Sequence, residues 1–162
     1  MIDGINTETI ATVSLWVNTA YQEKINKYMM SLGLGVVGID VSTKDFDSSE
    51  LPDSLNENAR NKIIKQLSGK KSFTVFTKHK LYSASGKETN NTIAWKLEDR
   101  ESAGTNKAFH LSGPILWALV NGGVLIIDEI EAKLHPIMTL ETINLFLNKE
   151  TNTNNAQLIF AT

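Results

Sequence analysis

The spacing of apolar and polar residues divides this chain into short elements. Thr7 to Asn18 is mixed, with little periodicity, and reads as a helix. Tyr21, Ile25, Tyr28, Met29 and Leu32 then fall at helical spacing, and Gly33 supplies the stop. "VVGIDV", Val36 to Val41, reads as a strand, and "STKDFDSSELPD" as a polar linker turning at Pro52. Ser54 with Glu57 three residues on forms a capping box. It predicts a helix carrying Leu55, Ala59, Ile63 and Leu67 and closed by Gly69.

"SFTVFT" and "TIAWKL" are β-rich runs flanking a polar segment with Ser85 and Gly86, which predicts a hairpin with a long loop. Asn106 to Val120 reads as helical, kinked or split by Gly113 and Pro114 and ended by Gly122 and Gly123. Val124 to Ile127 is short, apolar and β-branched, the pattern of a central buried strand. Pro136 suits a first helical position, and Ile137, Leu140, Ile143 and Leu147 predict that helix's inner face. After the loop "TNTNN", "AQLIFAT" reads as a second buried strand. Strand, helix, strand in this order implies parallel pairing through a crossover helix, with an antiparallel portion upstream.

Composition narrows the field without choosing a function. The 162 residues suffice for one modest domain, divisible into a helical and linker portion (1–69), a hairpin portion (70–100) and a final α/β portion (101–162). With 41% hydrophobic and 21% charged residues, and a net charge of −2, no global field draws nucleic acid or membrane. The absence of cysteine excludes disulfides and thiolate metal sites. Met1, Ile2, Asp3 and Gly4 do not open a signal peptide. The apolar tract Ile115 to Ile127 is interrupted by Asn121, Gly122 and Gly123 and is too short to span a membrane. A cytoplasmic location is the default expectation.

Candidate chemistry concentrates in "GGVLIIDEIEAKLHP", Gly122 to Pro136. The C-terminal end of a central parallel strand is where open α/β folds bind ligands. Asp128 there could hold Mg²⁺, and Glu129 could orient or deprotonate a water. The bland alternative is a strand leaving the core into solvent. A second candidate is "ESAGT", Glu101 to Thr105, which uncovers backbone N–H groups at a helix start, a place that favours phosphate oxygens. Its alternative is an ordinary N-cap followed by a permissive glycine.

Taken together, "ESAGT", a helix, the Asp128–Glu129 strand ending in "LHP", a further helix and "AQLIFAT" resemble the C-terminal half of an ABC-type ATPase head. The likeness is to bacterial ATPases of the overcoming-lysogenization-defect and abortive-infection kind, within the SMC and RecF group. It covers roughly Ser72 to Thr162, and Gly33 to Asp45 more weakly. The resemblance implies an α/β fold that is part of a P-loop NTPase head, with ATP and Mg²⁺ as cofactors and phage defence as the setting. It implies Asp128 as the metal-associated acid and Glu129 as general base. Ser102 and Gly104 would contact the γ-phosphate held by a second head, and Thr105 would open the supporting helix. Ala132 to His135 would cross the dimer interface, with His135 beside the nucleotide. The implied partners are a second head in a homodimer and a nuclease or DNA.

The chain departs from this family in two respects. No G-x-x-x-x-G-K-[ST] loop is present. "LSGKKS" has Ile64 for the first glycine and Lys71 for the hydroxyl residue, while "YSASGKET" has Leu81 and Glu88 at those places. The His that follows such a final strand in the family would come after Thr162. The expectation is therefore the rear part of a head whose N-terminal Walker A lobe is missing, as an excised piece or the product of a broken frame, and inactive alone. The competing expectation is a non-catalytic module or remnant that docks on a full-length ATPase.

The remaining signals have simpler readings. "GLGVVG" fits a dinucleotide-binding pattern, but a helix precedes it and a strand follows, so it reads as a helix stop and turn. Lys70, Lys71, Lys78, Lys80 and Lys87 could meet DNA phosphates or simply guard a sheet edge. His79, His110 and His135 lack metal-ligand spacing, and Trp16, Trp95 and Trp117 suit a core or an interface.

Overall fold

The computed structural model describes residues 7–69 and 71–162. The Met1–Gly4 stretch and Lys70 lie outside the described residues. The chain is mixed α/β, with an antiparallel three-stranded sheet and a parallel two-stranded sheet.

Helix α1 (Thr7–Trp16) leads into α2 (Thr19–Ser31), whose N-cap Asn18 accepts from the Ala20 N–H. Helix α2 stops at Gly33, which adopts φ +67°. Gly35 is also left-handed, at φ +72°, so the "GLG" turn is the helix stop that the sequence implies. Strand β1 (Val36–Asp45) runs on through Ser42 to Asp45, residues that the polarity of the sequence assigns to a linker. They stay extended because each pairs with a residue of β2 (Lys71–Tyr82), from Ser42 with Thr74 to Asp45 with Lys71.

Between β1 and β2 lies α3 (Glu57–Leu67). Its N-cap is Asn56, whose side-chain oxygen accepts from the Ala59 N–H at 2.8 Å, so the Ser54 capping box does not form. The expected hairpin is present, β2 with β3 (Glu88–Lys96), but its strands are longer and its loop shorter than the polar segment suggests. Ser83 and Lys87 close the loop by a backbone bond, with Gly86 at φ +76°. A short α4 (Leu97–Arg100) follows.

Helix α5 (Ala103–Asn121) is a single helix despite Gly113 and Pro114. Proline has no N–H, so the His110 carbonyl loses its helical donor. Thr12 of α1 restores it: its hydroxyl donates to the His110 carbonyl at 2.8 Å and accepts from the Gly113 N–H at 3.1 Å. Gly113 is required for this approach, since a Cβ there would lie 2.5 Å from the Thr12 Cα. Pairing α1 with α5 thus repairs a helix that the sequence marks for a break.

The far end of α5 is closed by Gly122 at φ +65° and by Asn154, whose side chain donates to the Leu119 and Val120 carbonyls. Strand β4 (Val124–Ile127), helix α6 (Pro136–Leu147) and strand β5 (Gln157–Phe160) form the expected parallel unit. Ile25, Met29, Phe109 and Ile115 are fully buried where α2, β1 and α5 meet. The β4–β5 sheet is not central. Its outer face carries Val124, Ile126 and Ile159, which are 55%, 72% and 52% exposed. On α6 the buried positions are Met138, Thr139, Thr142 and Phe146, whereas Ile137, Leu140 and Leu147 face solvent. The inner face read from the sequence is therefore largely the outer one. No helix among the described residues is long and apolar enough to cross a membrane.

Candidate functional site

The site is assembled where β4 ends beside the start of α5. Ile127 is buried and its carbonyl accepts from the Ala161 N–H at 3.1 Å. The Ile130 N–H donates back to Ala161 at 3.3 Å, and the Ile130 side chain is fully buried. Asp128 and Glu129 are thus held between two anchored isoleucines while both side chains remain exposed. Asp128 accepts from the Glu129 N–H at 3.1 Å. Glu129 adopts φ +48° and Lys133 φ +66°, left-handed conformations that are unfavourable for residues with a Cβ.

Three carbonyls of this turn point at one ammonium. Lys107 of α5 donates to the carbonyls of Glu129, Ile130 and Ala132 at 2.9, 3.3 and 2.7 Å. One helical turn earlier, Gly104 meets the same loop, and a Cβ there would lie 2.8 Å from the Lys133 carbonyl. Glycine is needed at 104 for that close approach.

The "ESAGT" residues have distinct positions. Ser102 is the N-cap of α5 and accepts from the Thr105 N–H at 3.1 Å, with its side chain exposed. Thr105 is buried and its hydroxyl bonds the Ser102 hydroxyl at 2.9 Å, so its side chain braces the turn. Asn106 donates to the Leu97, Glu101 and Ser102 carbonyls. Glu101 points the opposite way, into the three-stranded sheet. Its carboxylate accepts from the Thr77 hydroxyl at 2.5 Å and from His79 Nε2 at 2.6 Å, and Trp95 lies over the His79 ring at 4.4 Å. The Glu101 side chain is only 8% exposed. Beside this bracket runs a groove of about 520 Å³, lined by Glu98, Glu101, Ala103, Lys107 and Lys133 among others.

Among the sequence-derived candidates, Gly104 is therefore brought against the Asp128–Lys133 turn, while Ser102 and Thr105 bond each other at the start of α5. His135 stands further along as the N-cap of α6, its exposed ring accepting from the Ile137 N–H at 3.4 Å. The sequence reading missed Lys107 and Asn106 and left His79 without a role. One signal for Lys107 was available. A lysine near a helix N-terminus opposes the macrodipole, so its presence there calls for acceptors outside the helix.

As a metal site, the donor set is sparse. Among the described residues no three His, Asp or Glu side chains converge. Exposed Asp128, engaged only by its neighbour's N–H in the bonds above, could supply one ligand. That is compatible with Mg²⁺, which keeps several waters and relies on substrate phosphates. Two of the hairpin lysines are paired with carboxylates within the sheet. Lys78 pairs with Asp40 at 3.6 Å and Lys80 with Glu88 at 2.5 Å, and the Glu88 bond pushes the Lys80 ammonium above its usual range.

Comparison of the chain with protein-family models, curated proteins and solved structures returns no match.

Proposed function

We propose that this chain supplies the signature and hydrolytic faces of an ABC-type ATPase head with the P-loop NTPase fold, of the overcoming-lysogenization-defect and abortive-infection kind. The observation that supports this reading is the seating of the Asp128–Lys133 turn on the first turns of α5, through Gly104 and Lys107. Two motifs separated in sequence become one rigid edge carrying two exposed carboxylates.

In this reading Asp128 would be the residue that holds Mg²⁺, and Mg-ATP, when bound, would supply the electrophilic phosphorus. Glu129 takes the proton of the attacking water at its exposed carboxylate. The exposed Ser102 hydroxyl and the Gly104 backbone face the γ-phosphate bound by a second copy, and His135 lies at the same interface. The phosphate-binding loop must come from elsewhere, since no G-x-x-x-x-G-K-[ST] occurs in the chain. Phage defence and a nuclease or DNA partner belong to the resemblance alone.

The test uses a polypeptide in which this sequence is joined to a G-x-x-x-x-G-K-[ST] segment. Glu129→Gln should lower ATP turnover by about 10²- to 10⁴-fold while ATP-driven dimerisation, read by sedimentation, persists. Turnover equal to that of the unsubstituted protein would sink the assignment.

A second reading, a non-catalytic docking module, is favoured by exposed apolar side chains on the outer face of β4 and β5 and on α6, among them Ile126 at 72% exposed and Leu140 at 59%. Under it, Glu129→Gln has no effect on a partner ATPase, whereas Ile126→Asp abolishes association.

A further inference from the structure

We infer that Lys107 is a positioning residue for Glu129, an inference that rests on the hydrolytic reading of that carboxylate. An ammonium has three donors and no acceptor. Lys107 spends them on the carbonyls of Glu129, Ile130 and Ala132, all within 3.3 Å. These oxygens converge because the turn contains left-handed residues at both ends, Glu129 and Lys133. Such conformations are costly and persist only where the surroundings over-determine them. Converging carbonyl dipoles also repel one another, so the turn needs a cation at their focus. Lys107 provides it from a rigid helix rather than from a loop.

The consequence reaches the catalytic geometry. Glu129 itself is one of the strained residues, and its carbonyl is one of the three held. Its Cα and the direction in which its exposed side chain leaves the backbone are therefore set by Lys107. Gly104, three residues earlier on the same helix face, seats the Lys133 end of the turn. A displacement of the first turn of α5 is thereby carried to Glu129 through two contacts. Lys107 acts on the position of the carboxylate and touches no substrate.

The test has two readouts. In the 162-residue chain, Lys107→Met should raise amide exchange at Ala132 and Leu134, the N–H groups that close the turn, by at least tenfold. Exchange at Met29 in the core of α2 should stay unchanged. In the polypeptide joined to the phosphate-binding segment, Lys107→Met should lower kcat about tenfold or more, with KM for ATP within twofold. Lys107→Arg should recover most of it, and if the Met variant does not fold, Lys107→Gln should serve in its place and fall well below Arg. Unchanged exchange at Ala132 and Leu134 overturns the clamp. A loosened turn with unchanged kcat, in an enzyme that does respond to Glu129→Gln, overturns the positioning role. Turnover indifferent to Glu129→Gln defeats the ATPase reading and the catalytic half of this inference, while the exchange result still decides the clamp.

Discussion

Two regions of similar apolar content end up in opposite environments. In the bundle of α1, α2, β1 and α5, side chains such as Ile25, Met29, Phe109 and Ile115 are fully shielded. In the β4–α6–β5 unit, Ile126, Ile137, Leu140 and Leu147 lie 59–74% exposed. The first region closes on itself because α1, more than 90 residues away in sequence, fits the notch left by Gly113 and Pro114. The second is a two-stranded parallel sheet whose outer face lies exposed among the described residues, although parallel strands ordinarily require cover on both faces. Apolar periodicity thus reports that a face is suited to burial. It does not report that a neighbour is present to bury it. The contrast also separates two jobs: the bundle holds α5 rigid, and the exposed unit carries the carboxylates at its edge.

Paired truncations put this comparison at risk most directly. Ile115→Ala should cost about 2–5 kcal/mol in urea unfolding, because it opens a cavity in a closed core. Ile126→Ala, the same chemical change on the bare face, should cost less than about 0.5 kcal/mol. Equal losses would mean that the outer face of β4 is covered in solution.

A smaller effect should follow from Thr12→Val, which keeps the shape but removes the hydroxyl. The His110 carbonyl and the Gly113 N–H then lose their shared partner, at a cost of about 1–3 kcal/mol by the same assay. A neutral result would show that α5 tolerates Pro114 without help from α1.

The smallest change concerns a buried hydrogen bond across the two regions. Tyr28 of α2 bonds Thr142 of α6 at 3.0 Å. Thr142 spends its own hydrogen on the Met138 carbonyl, so Tyr28 is the donor. Burial pushes the Tyr28 hydroxyl from 10.0 up to about 12. Below pH 10 the group is protonated in both folded and unfolded chains and its stabilisation is complete. Between about pH 10 and 12 the unfolded chain ionises first, so stability falls as pH rises. Tyr28→Phe should cost about 1 kcal/mol at neutral pH and flatten that alkaline decline, as read by thermal melts across the range. An unchanged alkaline slope would assign the decline to other groups.

Much of the fold was legible because it depends on local chemistry. Gly33 ends α2 by its left-handed backbone, and Pro136 opens α6 at the position where a missing N–H costs nothing. The parallel β4–α6–β5 unit followed from element order. The extension of β1 was not legible, since Ser42 to Asp45 are polar and remain extended only through β2. The asparagines of "TNTNN" read as loop composition, yet Asn154 caps α5, and Asn152 ties the Phe146 and Ala156 carbonyls together. In the site, Asp128, Glu129, Ser102 and Gly104 stood out by type and spacing. Lys107 did not, because its role depends on carbonyls 22 to 25 residues away.

By itself, then, the sequence determined helix ends, strand runs and the presence of two adjacent carboxylates after an apolar strand. Those follow from backbone sterics and side-chain periodicity within a few residues. Long-range contacts settle that Pro114 leaves α5 intact, that Glu101 turns into the hairpin, and that the Glu129 turn rests on Lys107, and their lack leaves one apolar face exposed. Each of these is a matter of whether a donor, an acceptor or a surface elsewhere in the chain comes within reach. Local pattern carries no information on that.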